Sequence, residues 1–94
     1  MDKFRLDEIT AMVTGGSRGI GLGIAVALAE AGANIVLAAR DAAKLEAARR
    51  RLADTGRTVR IFPVDASRVA DLPGFYRRVA EDTGGVDLLV NNAG

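Results

Sequence analysis

Apolar residues arrive along this chain in two rhythms. Ile9 to Thr14, Asn34 to Ala39, Thr58 to Val64 and Val86 to Val90 are short, nearly continuous apolar runs of strand length, the pattern of parallel strands covered on both faces. Longer stretches with helical spacing lie between them. Arg18 or Gly19 to about Ala31 reads as a first helix stopped at Gly32, glycine being the natural residue past a helix end. Asp41 is placed to cap a second helix reaching about Asp54, in which Leu45, Ala48 and Leu52 recur as an apolar stripe and Glu46 with Arg50 forms an i,i+4 pair on the outer side. Thr55-Gly56-Arg57 is the turn out of it. Pro63 places the end of the third strand outside the regular hydrogen-bond ladder. A third helix runs from near Leu72 to Asp82, with Asp71 as its cap, Pro73 confined to the first turn and Gly84-Gly85 closing it.

Strands alternating with helices of this length imply an α/β architecture: a Rossmann-type, doubly wound parallel sheet with right-handed crossovers, here a βαβαβαβ portion. In such sheets ligands sit beyond the carboxyl ends of the strands, at the switch point beside the first strand. The loops Gly15 to Gly21, Arg40-Asp41, Asp65-Ala66 and Asn91 to Gly94 all fall on that edge. No internal repeat, linker or low-complexity segment interrupts the pattern.

Among these loops Thr14-Gly15-Gly16-Ser17-Arg18-Gly19-Ile20-Gly21 carries the clearest chemistry, because it joins an apolar strand directly to an apolar helix. Glycines there let backbone approach a pyrophosphate, and the unpaired N–H groups and positive dipole end of the helix favour the anion. The bland alternative is a set of turn glycines. Two common glycine motifs do not fit: a P-loop from Gly16 needs lysine where Leu22 stands, and G-x-G-x-x-G fails at Ile24.

The spacing T-G-x-x-x-G-I-G resembles the glycine signature of the short-chain dehydrogenase/reductase family, and Asn91-Asn92-Ala93-Gly94 resembles a second signature of the same family, in the same order and structural context. The resemblance runs over essentially the whole chain and corresponds to the N-terminal part of a family member. It implies a dinucleotide cofactor, with Thr14 steadying the loop, Gly15, Gly19 and Gly21 at the pyrophosphate, Ser17 and Arg18 over the adenosine ribose, and Ile20 near the middle of the cofactor. It implies that Asp65, with Ala66 beside it, meets the adenine amino group, Asp65 otherwise being a turn or capping acid. Asn91, Asn92, Ala93 and Gly94 line the cofactor and brace the sheet, two roles the sequence does not separate. One departure stands out: Glu8, Ile9 and Thr10 occupy the place of the Gly-Lys-Val usual in close relatives, which predicts an irregular start to the first strand.

Cofactor choice turns on the end of the second strand, where NAD sites place an acid about 20 residues past the glycine loop. Ala38-Ala39-Arg40 stands there instead. Arg40, with Arg18, suits a 2′-phosphate through paired guanidinium donors, so NADP is favoured over NAD. Asp41 is the competing detail and reads as a helix cap.

The composition narrows the rest. In 94 residues, 49% are apolar and 4% aromatic, and 13 basic against 12 acidic side chains leave a net charge of +1, which gives no global attraction to nucleic acid or charged membranes. Arg49-Arg50-Arg51 and Arg77-Arg78 lie beside acids on amphipathic helices and read as solvated faces. Cysteine and histidine are absent, excluding disulfides and His/Cys metal sites. No signal-like segment or run of roughly 20 apolar residues is present, and the expected location is the cytoplasm. The family resemblance implies a small carbonyl or alcohol substrate and a homo-oligomer. It also implies a catalytic serine, tyrosine and lysine downstream of N-N-A-G; Tyr76 is followed four residues later by Ala80 and the lysines are Lys3 and Lys44, so no catalytic residue is assigned. The expectation is an NADP-dependent oxidoreductase represented by its cofactor half and inactive alone, the alternative being a non-catalytic nucleotide-binding or interaction module. A fourth strand left at an open edge predicts a marginally folded or self-associating polypeptide.

Overall fold

The computed structural model describes residues 8–15, 19–65 and 72–92. The elements run β1 (Thr10–Thr14), α1 (Gly19–Glu30), β2 (Asn34–Ala39), α2 (Ala42–Ala53), β3 (Val59–Pro63), α3 (Leu72–Thr83) and β4 (Leu88–Asn91). The strands form one parallel sheet in the order β3-β2-β1-β4. Chain order therefore steps outward from β1 to β3 and then jumps back to the far side of β1. Because βαβ crossovers keep one hand, the helix that makes the return must lie on the opposite face. The core divides accordingly. Ala11, Val13, Ile35 and Leu37 pack with Ala25 and Ala29 of α1 and Leu45, Ala48 and Leu52 of α2. Met12, Val36 and Ala38 pack with Phe75 and Val79 of α3. This is a doubly wound Rossmann-like sheet, as the apolar rhythm predicts.

Helix α1 rests on the sheet through Gly21, Ala25 and Ala29, which are buried at successive i,i+4 positions. Small side chains on that stripe let the helix axis come close to β1. Its end is a Schellman motif, with Ala33 N donating to Leu28 O at 3.1 Å, Gly32 N to Ala29 O at 3.0 Å, and Gly32 at φ 110. Asp41 caps α2 as expected, accepting from Lys44 N at 3.1 Å. On the outer face of α2 the pairing shifts: Glu46 takes its close ion pair and hydrogen bonds from Arg49, while Arg50 Nε stands 3.9 Å away. The Arg49 guanidinium draws the Glu46 carboxyl below its ordinary range. Residues three and four apart are both neighbours on a helix, so either arginine is within reach. Asp71, expected to cap α3, lies outside the described residues.

The limits of β3 and β4 differ from the apolar runs. Pro63 belongs to β3, opposite Ala39. The next N–H, from Val64, donates to Ala39 O at 2.8 Å; alternate residues of a parallel strand face the same neighbour, so the missing N–H of Pro63 falls on the side away from β2. At β4, pairing starts at Leu88 rather than Val86, because Thr10 N donates to the Asp87 carboxylate at 2.9 Å instead of to a strand carbonyl, while Asp87 N donates to Thr10 O at 2.9 Å. The strand continues to Asn91. Val86, Leu88 and Leu89 are exposed among the described residues.

The start of β1 is irregular in a specific way: Glu8 has φ 69, and pairing begins at Thr10. A side chain in left-handed backbone costs roughly 1 to 2 kcal/mol, partly offset by the restriction it places on the unfolded chain. Glu8→Gly is therefore expected to raise stability by roughly 0.5 to 1 kcal/mol, measured as a higher denaturant midpoint at unchanged slope in the protein that carries this chain. A lower midpoint would show that Glu8 makes compensating contacts.

Candidate functional site

Parallel strands end on one edge, and the register brings the ends of these four into line. Thr14 lies opposite Ala38 on one side and Asn91 on the other, and Ala39 opposite Pro63. The ladder then runs one residue past the strands: Gly15 N donates to Ala38 O at 2.8 Å, Val64 N to Ala39 O at 2.8 Å, and Asn92 N to Thr14 O at 3.2 Å. Gly15, Arg40, Asp65 and Asn92 are thus carried to the same edge by backbone bonding. The reversal of strand order between β1 and β4 sits there too, the crevice where sheets of this kind take ligands.

Thr14 and the two asparagines form one network. Thr14 Oγ1 donates to Asn91 Oδ1 at 3.0 Å, with Val90 O at 3.4 Å as a second acceptor, and accepts from Asn92 N at 3.2 Å. The hydroxyl both donates and accepts across the β1–β4 seam, a role the sequence indicates only as steadying the loop.

The glycine loop shows why its glycines stand where they do. Gly15 and Gly19 have φ 69 and 64, left-handed values that side chains avoid. Gly21 is required by contact: a Cβ there would lie 2.3 Å from Gly15 O and 2.9 Å from Asn92 Nδ2. The glycine loop, the first turn of α1 and the end of β4 therefore close on one another. This approach of Asn92 to Gly21 is absent from the sequence reading, and its signal was the smallest residue in an otherwise apolar first turn. A Cβ on Gly19 would meet nothing within 4 Å, so it is the backbone conformation and not contact that calls for glycine there.

This arrangement fits a pyrophosphate. The N-terminal turn of a helix leaves N–H groups without intrahelical partners, and that of α1 contains no acid that would compete with an anion. Ile20, 75% exposed, presents an apolar surface beside it. Ser17, Arg18, Ala66, Ala93 and Gly94 lie outside the described residues. Arg40 is exposed at the end of β2, and among the described residues its guanidinium makes no hydrogen bond or ion pair. Asp65 follows β3 at the same edge. A groove of about 400 Å³ lined by Val26, Glu30, Arg51, Asp54 and Thr55 lies at the other end of α1 and includes none of these residues. Among the described residues no group of three His, Cys, Asp or Glu is placed to hold a metal ion, and no helix is long and apolar enough to cross a membrane.

Comparison with known proteins agrees with this geometry. A sequence model described as short chain dehydrogenase matches residues 9–94. D-beta-hydroxybutyrate dehydrogenase of Cupriavidus necator is 45% identical over 91 residues, covering 95% of this chain and 34% of that enzyme. Among solved structures, the RhlG/NADP active-site complex of Pseudomonas aeruginosa superposes with a TM-score of 0.91 at 40% identity, covering 99% of this chain and 37% of that one. L-sorbose reductase of Gluconobacter frateurii, complexed with NADPH and L-sorbose, gives a TM-score of 0.91 at 40% identity, covering 100% of this chain and 36% of that one. The chain spans about a third of the length of these relatives.

Proposed function

The chain belongs to the short-chain dehydrogenase/reductase family, and from that premise we propose that it is the cofactor-binding part of an NADP-dependent oxidoreductase that interconverts a carbonyl and a secondary alcohol. In this reading Thr14, Gly15, Gly19 and Gly21 hold the pyrophosphate against the head of α1, with Ser17 and Arg18 on the ribose side and Ile20 under the middle of the dinucleotide. Asp65 and Ala66 border the adenine, and Asn91, Asn92, Ala93 and Gly94 line the far side. NADP, when bound, supplies or accepts the hydride. The chain's own residues bind it, orient it and hold the sheet edge rigid beneath it. A cytoplasmic, homo-oligomeric enzyme with a small-molecule substrate completes the proposal.

The observation that carries the choice of NADP is Arg40, exposed and without a partner among the described residues, at a strand end that offers alanines where an NAD site places a carboxylate. Structures of relatives in complex with NADP and NADPH support it. A charge-assisted pair contributes roughly 1.5 to 3 kcal/mol, so Arg40→Ala is expected to lower the ratio of NADPH to NADH affinity by about tenfold or more. Calorimetric titration of the protein that carries this chain measures it. Equal affinities in the parent protein, or an unchanged ratio in the variant, would remove the NADP assignment.

The 94-residue polypeptide by itself is expected to reduce no ketone and oxidise no alcohol. Tyr76 has no lysine four residues on, and its ring lies against Phe75 with centroids 5.3 Å apart. Turnover that survives purification and disappears in Tyr76→Phe would overturn this.

A further inference from the structure

Among the described residues β3 has one strand neighbour, β2, and sheets wound in this order add further strands on the opposite side, beyond β4. The sheet therefore ends at β3. Such an edge offers unpaired N–H and C=O groups to any extended chain, and most readily to another copy of itself. From its geometry we infer that Arg60 and Pro63 together close the outer edge of β3 to a second copy of the chain, each opposing a pairing that the other leaves possible. The ladder fixes which groups lie open. Ile35 N donates to Thr58 O at 2.9 Å and Val64 N to Ala39 O at 2.8 Å, so Thr58, Arg60, Phe62 and Val64 turn their backbone groups to β2, while Val59, Ile61 and Pro63 turn theirs outward. The outward donors are the N–H groups of Val59 and Ile61 alone, because Pro63 has none. Their side chains pack on the cluster under α1 and α2, whereas Arg60, opposite Val36, stands on the α3 face. There it is half-buried, and among the described residues no hydrogen bond or ion pair engages its guanidinium.

Two copies related by a two-fold axis perpendicular to the sheet would pair these edges antiparallel, and a strand of 5 residues allows few registers. In the register centred on Arg60, Val59 lies against Ile61 of the second copy, and every N–H of these residues finds a carbonyl. The two Arg60 side chains then come face to face, with Cα atoms about 4.5 Å apart. Like charges directly opposite one another work against pairing. Centring on Ile61 separates the charges, but Pro63 then lies against Val59 of the second copy and leaves the Val59 carbonyl without a donor in both halves. Centring on Phe62 sets Pro63 against Ile61, with the same loss. A backbone acceptor covered but left unpaired costs about as much as a lost hydrogen bond. Registers centred closer to either end overlap too little of the strand to hold. Arg60 thus opposes the one register that Pro63 permits, and Pro63 the two in which the arginines no longer meet.

The test follows the mass of the protein that carries this chain by sedimentation as its concentration is raised, together with hydrogen exchange at the Val59 and Ile61 amides. The parent protein should keep one assembly size, and these two amides should exchange faster than those of Arg60 and Phe62, which face β2. Arg60→Thr combined with Pro63→Thr restores an outward N–H and removes the charge, in a residue type suited to strands. This double variant should reach at least about twice the parental mass, as paired edges join assemblies, and exchange at Val59 and Ile61 should slow by about tenfold or more. Arg60→Thr alone opens the register centred on residue 60 and should also associate, so that poor folding of the double variant leaves a second measure. Arg60→Lys keeps the charge and should keep the parental mass. A folded double variant with the parental mass at every concentration overturns the inference. So does association that leaves Val59 and Ile61 exchanging fast, since another surface would then be in use, and association of Arg60→Lys as strong as that of Arg60→Thr removes the part assigned to charge.

Discussion

Replacing Gly21 with alanine is expected to destabilise the fold by about 3 kcal/mol, the upper part of the range for overpacking, and to weaken dinucleotide binding by about a hundredfold or more. The added Cβ would stand 2.3 Å from Gly15 O, 3.0 Å from Gly15 C and 2.9 Å from Asn92 Nδ2. Backbone atoms at these distances cannot be rotated away. Gly15 is held by its N–H bond to Ala38 O, and Asn92 by its bonds to Thr14. Either α1 must retreat from the sheet, uncovering Ala25 and Ala29, or the loop must give up the bonding that positions it. The two costs fall on different measurements, the denaturant midpoint and the NADPH titration. Gly23→Ala is the matched control: it lies in the same helix, exposed, and a Cβ there meets nothing within 4 Å. Its expected effect is neutral to stabilising by up to about 1 kcal/mol, from helix propensity. A Gly21→Ala protein with both its midpoint and its affinity intact would refute the close approach of loop, helix and strand.

The second large effect is expected at Leu37. It lies in β2 between Val13 of β1 and Ile61 of β3, fully buried, in the cluster shared with α1 and α2. Backbone paired on both sides cannot shift to fill a void, so Leu37→Ala should fall in the middle of the range for buried leucines, about 3 to 4 kcal/mol. Small α/β units have little stability to spare. Urea unfolding of the protein that carries this chain gives the measurement, and a cost below about 1 kcal/mol would contradict the central placement of β2.

The sequence was most legible where one rhythm decided the element. Asn34 to Ala39 is apolar without interruption because β2 is covered on both faces, and its predicted limits match those observed. Parallel strands also dictated that Gly15, Arg40, Asp65 and Asn92 share an edge, since strands that run one way must end together. Limits blurred where a side chain took over a backbone's task. At Asp87 the carboxylate replaces a strand carbonyl, so apolar Val86 reads as strand yet precedes the ladder. Glu46 could pair three or four residues on, and hydrophobic patterning says nothing of which arginine is nearer. Contacts between distant elements were the least legible. Oxygen-to-oxygen pairing of Thr14 with Asn91, and the packing of Asn92 on Gly21, depend on the β1–β4 register, and a slip of one residue would turn each of these side chains to the other face.

The bond from Asn92 N to Thr14 Oγ1 joins residues 78 apart in sequence. Such a contact closes a very long loop, whose entropic cost must be met before the contact contributes anything. The glycine loop is therefore complete only after β4 has docked on β1, which makes its assembly a late event in folding. A ligand seated there would be bound by the finished fold and not by a partly formed βαβ unit. Its binding energy would then oppose global unfolding, by about 2.7 kcal/mol at a hundred times its Kd, and protection from proteolysis should spread across the whole sheet instead of the loop alone.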